Sequence, residues 1–123
     1  MPTLFTIFLG AGLGGLSRYA MVTLAARLLG LAFPYGTLAV NVIGGLAIGF
    51  LAGLWAQHDA SNLTRSFLIT GILGGFTTFS AFTLDIYTLI ERHQPLLALA
   101  YVLLSVVGAL IALFLGLYLA RFA

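Results

Sequence analysis

The run QPLLALAYVLLSVVGALIALFLGLYLA, residues 94–120, contains no charged side chain. As a helix rising 1.5 Å per residue it is about 40 Å long, more than the roughly 30 Å hydrocarbon core of a bilayer. Working outward from it, three more stretches lack charge, at residues 1–17, 28–57 and 66–84. A membrane crossing needs about 20 apolar residues. The pattern therefore predicts four transmembrane helices, near residues 4–28, 35–56, 64–91 and 96–121. A β-barrel would need strands of about 10 residues with alternating polarity, and no alternation occurs. The expected fold class is all-α, with a single transmembrane domain over residues 1–123.

Composition agrees. Hydrophobic residues make up 62% of the chain and charged residues 7%, against about 25% charged in soluble domains. So few charges could not cover a water-exposed surface, and the mean hydropathy of +1.17 places the chain in lipid. The first apolar run reads as a span rather than a cleaved leader, because no basic segment precedes it and no cleavage pattern leads to a soluble domain. With no cysteine, disulfides and thiolate metal sites are excluded. A net charge of +2 without lysine is too small and too scattered for nucleic-acid binding.

Loop arginines normally set membrane orientation. In the four-helix layout Arg65 and Arg121 fall on one face, and Arg27 and Arg92 on the other. Two against two gives no bias, so the chain can insert either way. Dual topology permits an antiparallel dimer, although a neighbouring subunit or the lipid could also decide the orientation.

Gly10, Gly12, Gly14 and Gly15 in helix 1 match the dinucleotide fingerprint only formally. That motif needs a βαβ unit and an acidic residue about 20 positions on, and the first acid here is Asp59. Close helix packing is the better reading. Arg18 sits inside the span and is costly there unless it pairs or snorkels. It either forms an electropositive vestibule for an anion or reaches the interface beside Tyr19. Asn41 lies in an apolar span of helix 2, where its amide needs partners. It serves either a helix–helix hydrogen bond or an anion.

Helix 3 contains GILGGFTTFSAFT, residues 71–83. A Gly-Gly pair followed by β-branched and hydroxylated residues is a poor continuous helix. It resembles a stop followed by a new N-cap, so a broken third helix is expected. Irregular backbone at membrane depth survives only where protein buries it or where it lines a cavity. Such breaks expose carbonyls that hold cations, making Gly74 and Thr77 candidates for ligating a small monovalent cation. Phe79 and Phe82 share a face, and their ring edges are electropositive, although core packing explains such pairs as well. Asp85 is an intramembrane acid, a functional candidate by default, or else the partner of Arg18 or a loop arginine. Tyr101 and Ser105 place two hydroxyls one turn apart on helix 4. They read as part of a polar track, or as a packed tyrosine and a back-bonded serine.

Taken together, Gly14 to Tyr19, the Gly36-Thr37-Leu38-x-x-Asn41-x-x-Gly44 motif, and Gly74-Gly75-x-Thr77-Thr78-Phe79-Ser80-x-Phe82 resemble the Fluc (CrcB) family of fluoride channels over essentially the whole chain. The resemblance implies a fluoride-specific ion channel in the bacterial inner (plasma) membrane. It would passively export fluoride that enters as neutral hydrogen fluoride, and so reduce its toxicity. It also implies an antiparallel homodimer with two pores and a structural Na⁺ at the dimer centre, held by the Gly74 and Thr77 carbonyls. By that likeness Asn41 would hydrogen-bond fluoride, and Phe79 and Phe82 would coordinate it edge-on. Thr78, Ser80 and Thr83 would support the break or line the pore, Tyr101 and Ser105 would begin the polar track, and Arg18 would form the vestibule. Ala109 stands where the family often has another hydroxyl.

The main alternative is a proton-coupled exporter of the small multidrug resistance type. That class resembles chains with an essential glutamate in helix 1, and helix 1 here has no carboxylate. A non-transporting scaffold would leave the broken helix without purpose. An enzyme is not expected, since no catalytic grouping is present.

Overall fold

A computed structural model describes residues 1–123. It is all helical, with four segments long and apolar enough to cross a membrane: Pro2–Leu29, Tyr35–Gln57, Asn62–Glu91 and Pro95–Ala120. The expected boundaries hold to within about two residues, the usual fraying of helix ends.

Helix α1 (Pro2–Leu29) starts with proline at its first turn, where the missing N–H is no loss. It stops at Gly30, whose φ of 84° is open to glycine. Helix α2 (Tyr35–Gln57) follows. The third span opens with α3 (Asn62–Arg65), whose N-cap Ser61 accepts the Thr64 N–H. It continues as a π-helix over Ser66–Leu73 and as α4 (Gly74–Phe76). After an interruption at residues 77–79 it resumes as α5 (Ser80–Glu91). The last span is α6 (Pro95–Ala120), again opened by proline.

Two differences from the sequence expectation stand out in the third span. The π-helix carries no local sequence marker. The break, expected as a stop at Gly74-Gly75 followed by a hydroxyl cap, falls at Thr77-Thr78-Phe79, at the hydroxyl end of that stretch. Gly74 and Gly75 are helical, and Gly75 serves packing: a Cβ there would collide with the Ala11 carbonyl of α1.

Glycines on adjacent turns form the seams. Gly10 and Gly14 of α1 meet backbone of the π-helix and α4, while Gly45 and Gly49 of α2 meet the Ala109 and Leu113 carbonyls of α6. Small residues let helix backbones approach where lipid offers no hydrophobic drive to associate. α1 thus lies on the first half of the third span and α2 on α6, with α5 touching α2 and α6. Only 16 of 123 residues are buried, so most of the large apolar side chains face outward, as a lipid-embedded chain requires.

Hydrogen bonds sort the helix ends onto two faces. The Arg92 guanidinium donates to the Leu31 carbonyl at 3.0 Å, which joins the α1–α2 and α5–α6 connections. Gln57 donates to the Ala120 carbonyl at 3.3 Å, joining the opposite ends of α2 and α6.

Candidate functional site

The interruption at residues 77–79 is built from three neighbours. Thr77 is extended, with φ −87° and ψ 159°, and its N–H donates to the Leu73 carbonyl at 3.0 Å. Its hydroxyl donates to the same carbonyl at 2.9 Å. Thr78, one residue before the N-cap Phe79 of α5, receives the Ala81 N–H on its Oγ1 at 3.1 Å and so ties off a first-turn amide as a capping hydroxyl does. Asn41 of α2 spans the gap. Its Nδ2 donates to the Thr78 carbonyl at 2.9 Å, and its Oδ1 accepts the Thr78 N–H at 2.9 Å.

With Thr78 N–H held by Asn41, the Gly74 carbonyl loses its ordinary helical donor. No backbone amide reaches the Thr77 carbonyl either. Both are the carbonyls singled out in the sequence. The Gly75 carbonyl is taken: Arg18 donates to it through Nε at 3.1 Å. Arg18 is half-buried and turned toward the break.

A cavity of about 350 Å³ opens beside the break, lined by Asn41, Thr77, Thr78, Phe79, Phe82, Ser105, Val106 and Ala109. Phe82 is buried at 7% exposure and Phe79 is 75% exposed, their ring centroids 5.7 Å apart and the rings tilted by 48°. Ser105 is buried, and its Oγ has no hydrogen-bond partner. A buried hydroxyl without a partner is costly. Two phenylalanines, an amide and an unpaired hydroxyl line one space; phenylalanine ring edges are electropositive, so the set offers donors suited to an anion that has lost its water.

Asn41, Phe79, Phe82 and Ser105 are therefore brought together, and other candidates are not. Ser80 is exposed, with its hydroxyl 3.5 Å from Thr78 Oγ1. Thr83 bends back to donate to the Ser80 carbonyl at 2.8 Å. Tyr101 is fully buried, but its hydroxyl donates to Asp85 Oδ2 at 2.9 Å, away from the Ser105 cavity. Asp85 thus meets a tyrosine, and of the arginines offered as its alternative partners Arg18 goes to Gly75 and Arg92 to Leu31. The Tyr101 ring still backs the site, 5.2 Å from Phe82 and edge-on to Phe33 at 5.5 Å.

A second cavity of about 300 Å³ holds Arg18, Tyr19, Thr37, Thr78 and Asp85 among its lining. A third, about 220 Å³, runs from Asp85 past Thr88 to Arg92. Thr78 borders both the Arg18 cavity and the phenylalanine cavity, so the peptide clasped by Asn41 is the wall between them. Sequence reasoning missed Thr37 and Thr88, whose hydroxyls are unremarkable until the fold sets them along these cavities.

The family model for CrcB-like protein, Camphor Resistance (CrcB), matches residues 5–117. Among curated relatives, a fluoride-specific ion channel FluC of Chelativorans sp. is 53% identical over 122 residues, 98% of both chains. A protein of the same name from Mesorhizobium japonicum is 49% identical over 121 residues, 98% of both. Another, from Rhodopseudomonas palustris, is 50% identical over 120 residues, 97% of both. With its motifs, its four spans and its matched length accounted for, this chain belongs to the CrcB-like family.

Proposed function

We propose that this protein is a fluoride-specific ion channel that exports fluoride passively across the bacterial inner (plasma) membrane. The observation that carries the reading is the cavity where the Phe79 and Phe82 rings, the Asn41 amide and the unpartnered Ser105 hydroxyl meet. The name shared by relatives about half identical over nearly the whole chain supports it. Stripping water from a small, strongly hydrated halide inside lipid costs on the order of tens of kcal/mol if nothing replaces it. A filter must replace that shell yet release the ion. Ring edges, the second Nδ2 proton of Asn41 and the Ser105 hydroxyl attract moderately and hold no fixed cation to trap the ion. A narrow passage admits fluoride and excludes the larger chloride. Arg18, beside the break, raises the local positive potential that draws an anion in.

The working assembly is an antiparallel homodimer with Na⁺ at its centre. The balance of loop arginines favours insertion in both orientations. The Gly74 and Thr77 carbonyls suit a hard monovalent cation, because neither keeps its helical donor. When bound, Na⁺ would neutralise the carbonyl dipoles of the interrupted backbone. Such a site requires no cluster of acidic or histidine side chains, since its ligands are backbone oxygens.

Fluoride efflux from proteoliposomes tests the function. Fluoride is expected to leave while chloride is retained, and Phe79→Ile is expected to cut the flux. Substantial chloride flux, or indifference to Phe79→Ile, counts against the channel. In the same vesicles an imposed proton gradient and Asp85→Asn address a proton-coupled exporter. Flux insensitive to the gradient and surviving the substitution excludes it.

A further inference from the structure

We infer that Asn41 is a positioning residue that holds the third span open at Thr77–Phe79, besides any contact it makes with the ion. The inference rests on the proposed channel function and concerns how its pore is shaped. In an unbroken helix the Thr78 N–H would donate to the Gly74 carbonyl, and the Thr78 carbonyl would receive the Phe82 N–H. Asn41 intercepts both groups, accepting the first at 2.9 Å and donating to the second at 2.9 Å. One side chain replaces two rungs of the ladder. At membrane depth a peptide without partners is strongly disfavoured, so without Asn41 the third span gains by closing into continuous helix.

Helix α2 supplies more than the amide. Gly44, almost one turn beyond Asn41, leaves the notch that Thr77 fills, and a Cβ there would strike the Thr77 methyl group. The amide clasp and the notch act on adjacent residues of the break and fix its register against α2. Two consequences follow on opposite sides of Thr78. The Gly74 and Thr77 carbonyls are left without helical donors, and Phe79 joins Phe82 on the wall of the cavity. Closing the helix would turn residues 77–79 and carry Phe79 away from that wall. Asn41 therefore links the two freed carbonyls to the aromatic cavity, and its second Nδ2 proton remains available for an anion.

The test uses isotopically labelled full-length protein in liposomes, with solid-state NMR carbon shifts at Thr77 and Thr78 read beside fluoride efflux. Asn41→Leu removes both hydrogen bonds, whereas Asn41→Asp keeps an acceptor for the Thr78 N–H. With Asn41→Leu, the Thr77 shifts are expected to move from extended toward helical values as efflux is lost. With Asn41→Asp, the extended shifts are expected to persist while efflux falls. Loss of efflux in Asn41→Leu with Thr77 and Thr78 shifts unchanged would overturn the inference and leave Asn41 as an ion contact alone.

Should Asn41→Leu fail to fold, amide exchange in the unmodified protein decides. The Thr78 amide is expected to exchange slower than the unpaired Phe79 amide by about tenfold, a factor within reach of one hydrogen bond. Equal exchange overturns the proposal. Unmodified protein that passes no fluoride, yet has shifts that respond to Asn41→Leu, sinks the channel and keeps the positioning role.

Discussion

Ser105 separates folding from function at a single atom. Its side chain is buried on α6 with no partner for Oγ, beside Phe82 and Asn41. An unsatisfied buried hydroxyl costs about 1–3 kcal/mol, so Ser105→Ala is expected to leave thermal stability unchanged or raise it. The same substitution removes a group that replaces water around the ion, so fluoride efflux is expected to fall. A stability loss of several kcal/mol with normal flux would show that the hydroxyl is a structural group with a partner of its own. Asn41 and Ser105 stood out in the sequence as polar residues within apolar runs, and Phe79 and Phe82 as a pair on one helix face. Their joint role as pore lining came from the family resemblance. The direction of the Tyr101 hydroxyl was not legible, since spacing along α6 sets its face but only the packed α5 supplies Asp85 as its partner. Nor does spacing reveal that the Thr83 hydroxyl turns back to the Ser80 carbonyl of its own helix.

At the scale of elements, glycine seams and helix ends make sharper statements than propensity. A Cβ on Gly49 of α2 would strike the Leu113 backbone of α6, whereas one on Gly108 of α6 would meet only the tip of the Val42 side chain, at 3.3 Å. Gly49→Ala is therefore expected to destabilise by about 1–3 kcal/mol through overpacking. Gly108→Ala is expected to be near neutral, because Val42 can give way and alanine gains about 1 kcal/mol of helix propensity. Unfolding in detergent compares the two, and equal losses would contradict the rigid seam. At the end of α5, His93 has φ 59° while the Gln94 N–H returns to the Leu89 carbonyl at 3.0 Å, closing the helix as a glycine usually does. His93→Gly is expected to stabilise by about 1 kcal/mol by removing left-handed strain, read in the same melts. The four spans and the fact of a break were legible from charge-free runs and from Gly-Gly with its threonines. The exact position of the break within that stretch was not, because α1 and α2 decide it: Gly75 is needed against Ala11 of α1 as a helical residue, and the Asn41 amide of α2 claims Thr78. The π-helix likewise accompanies contacts between glycines of α1 and the third span that local propensity does not encode.

For the whole molecule, the loop arginines divide two and two between the two faces, and the proposed dual topology rests on that balance. The Arg92–Leu31 bond puts Arg92 and the end of α1 carrying Arg27 on one face. Gln57–Ala120 puts the opposite ends of α2 and α6 together near Arg121, and on that face Arg65 stacks over Trp55 at 5.3 Å. A cytoplasmic excess of arginine and lysine sets orientation, so a chain with two on each face responds to small additions. Replacing the exposed Leu31 and Ala32 in the α1–α2 connection by arginine is expected to fix that connection in the cytoplasm. Replacing His58 and Asp59 by arginine is expected to fix the opposite orientation. Cysteine-accessibility labelling in membranes reads the outcome, with the cysteine placed at a terminus in a chain that has none of its own. If the assembly pairs opposed copies, either fixed variant alone is expected to lose most fluoride efflux, and expressing both together is expected to restore it. Full efflux from one fixed variant alone would mean that parallel copies, or a single copy, suffice, and the antiparallel pairing would fall while the cavity at the break stood.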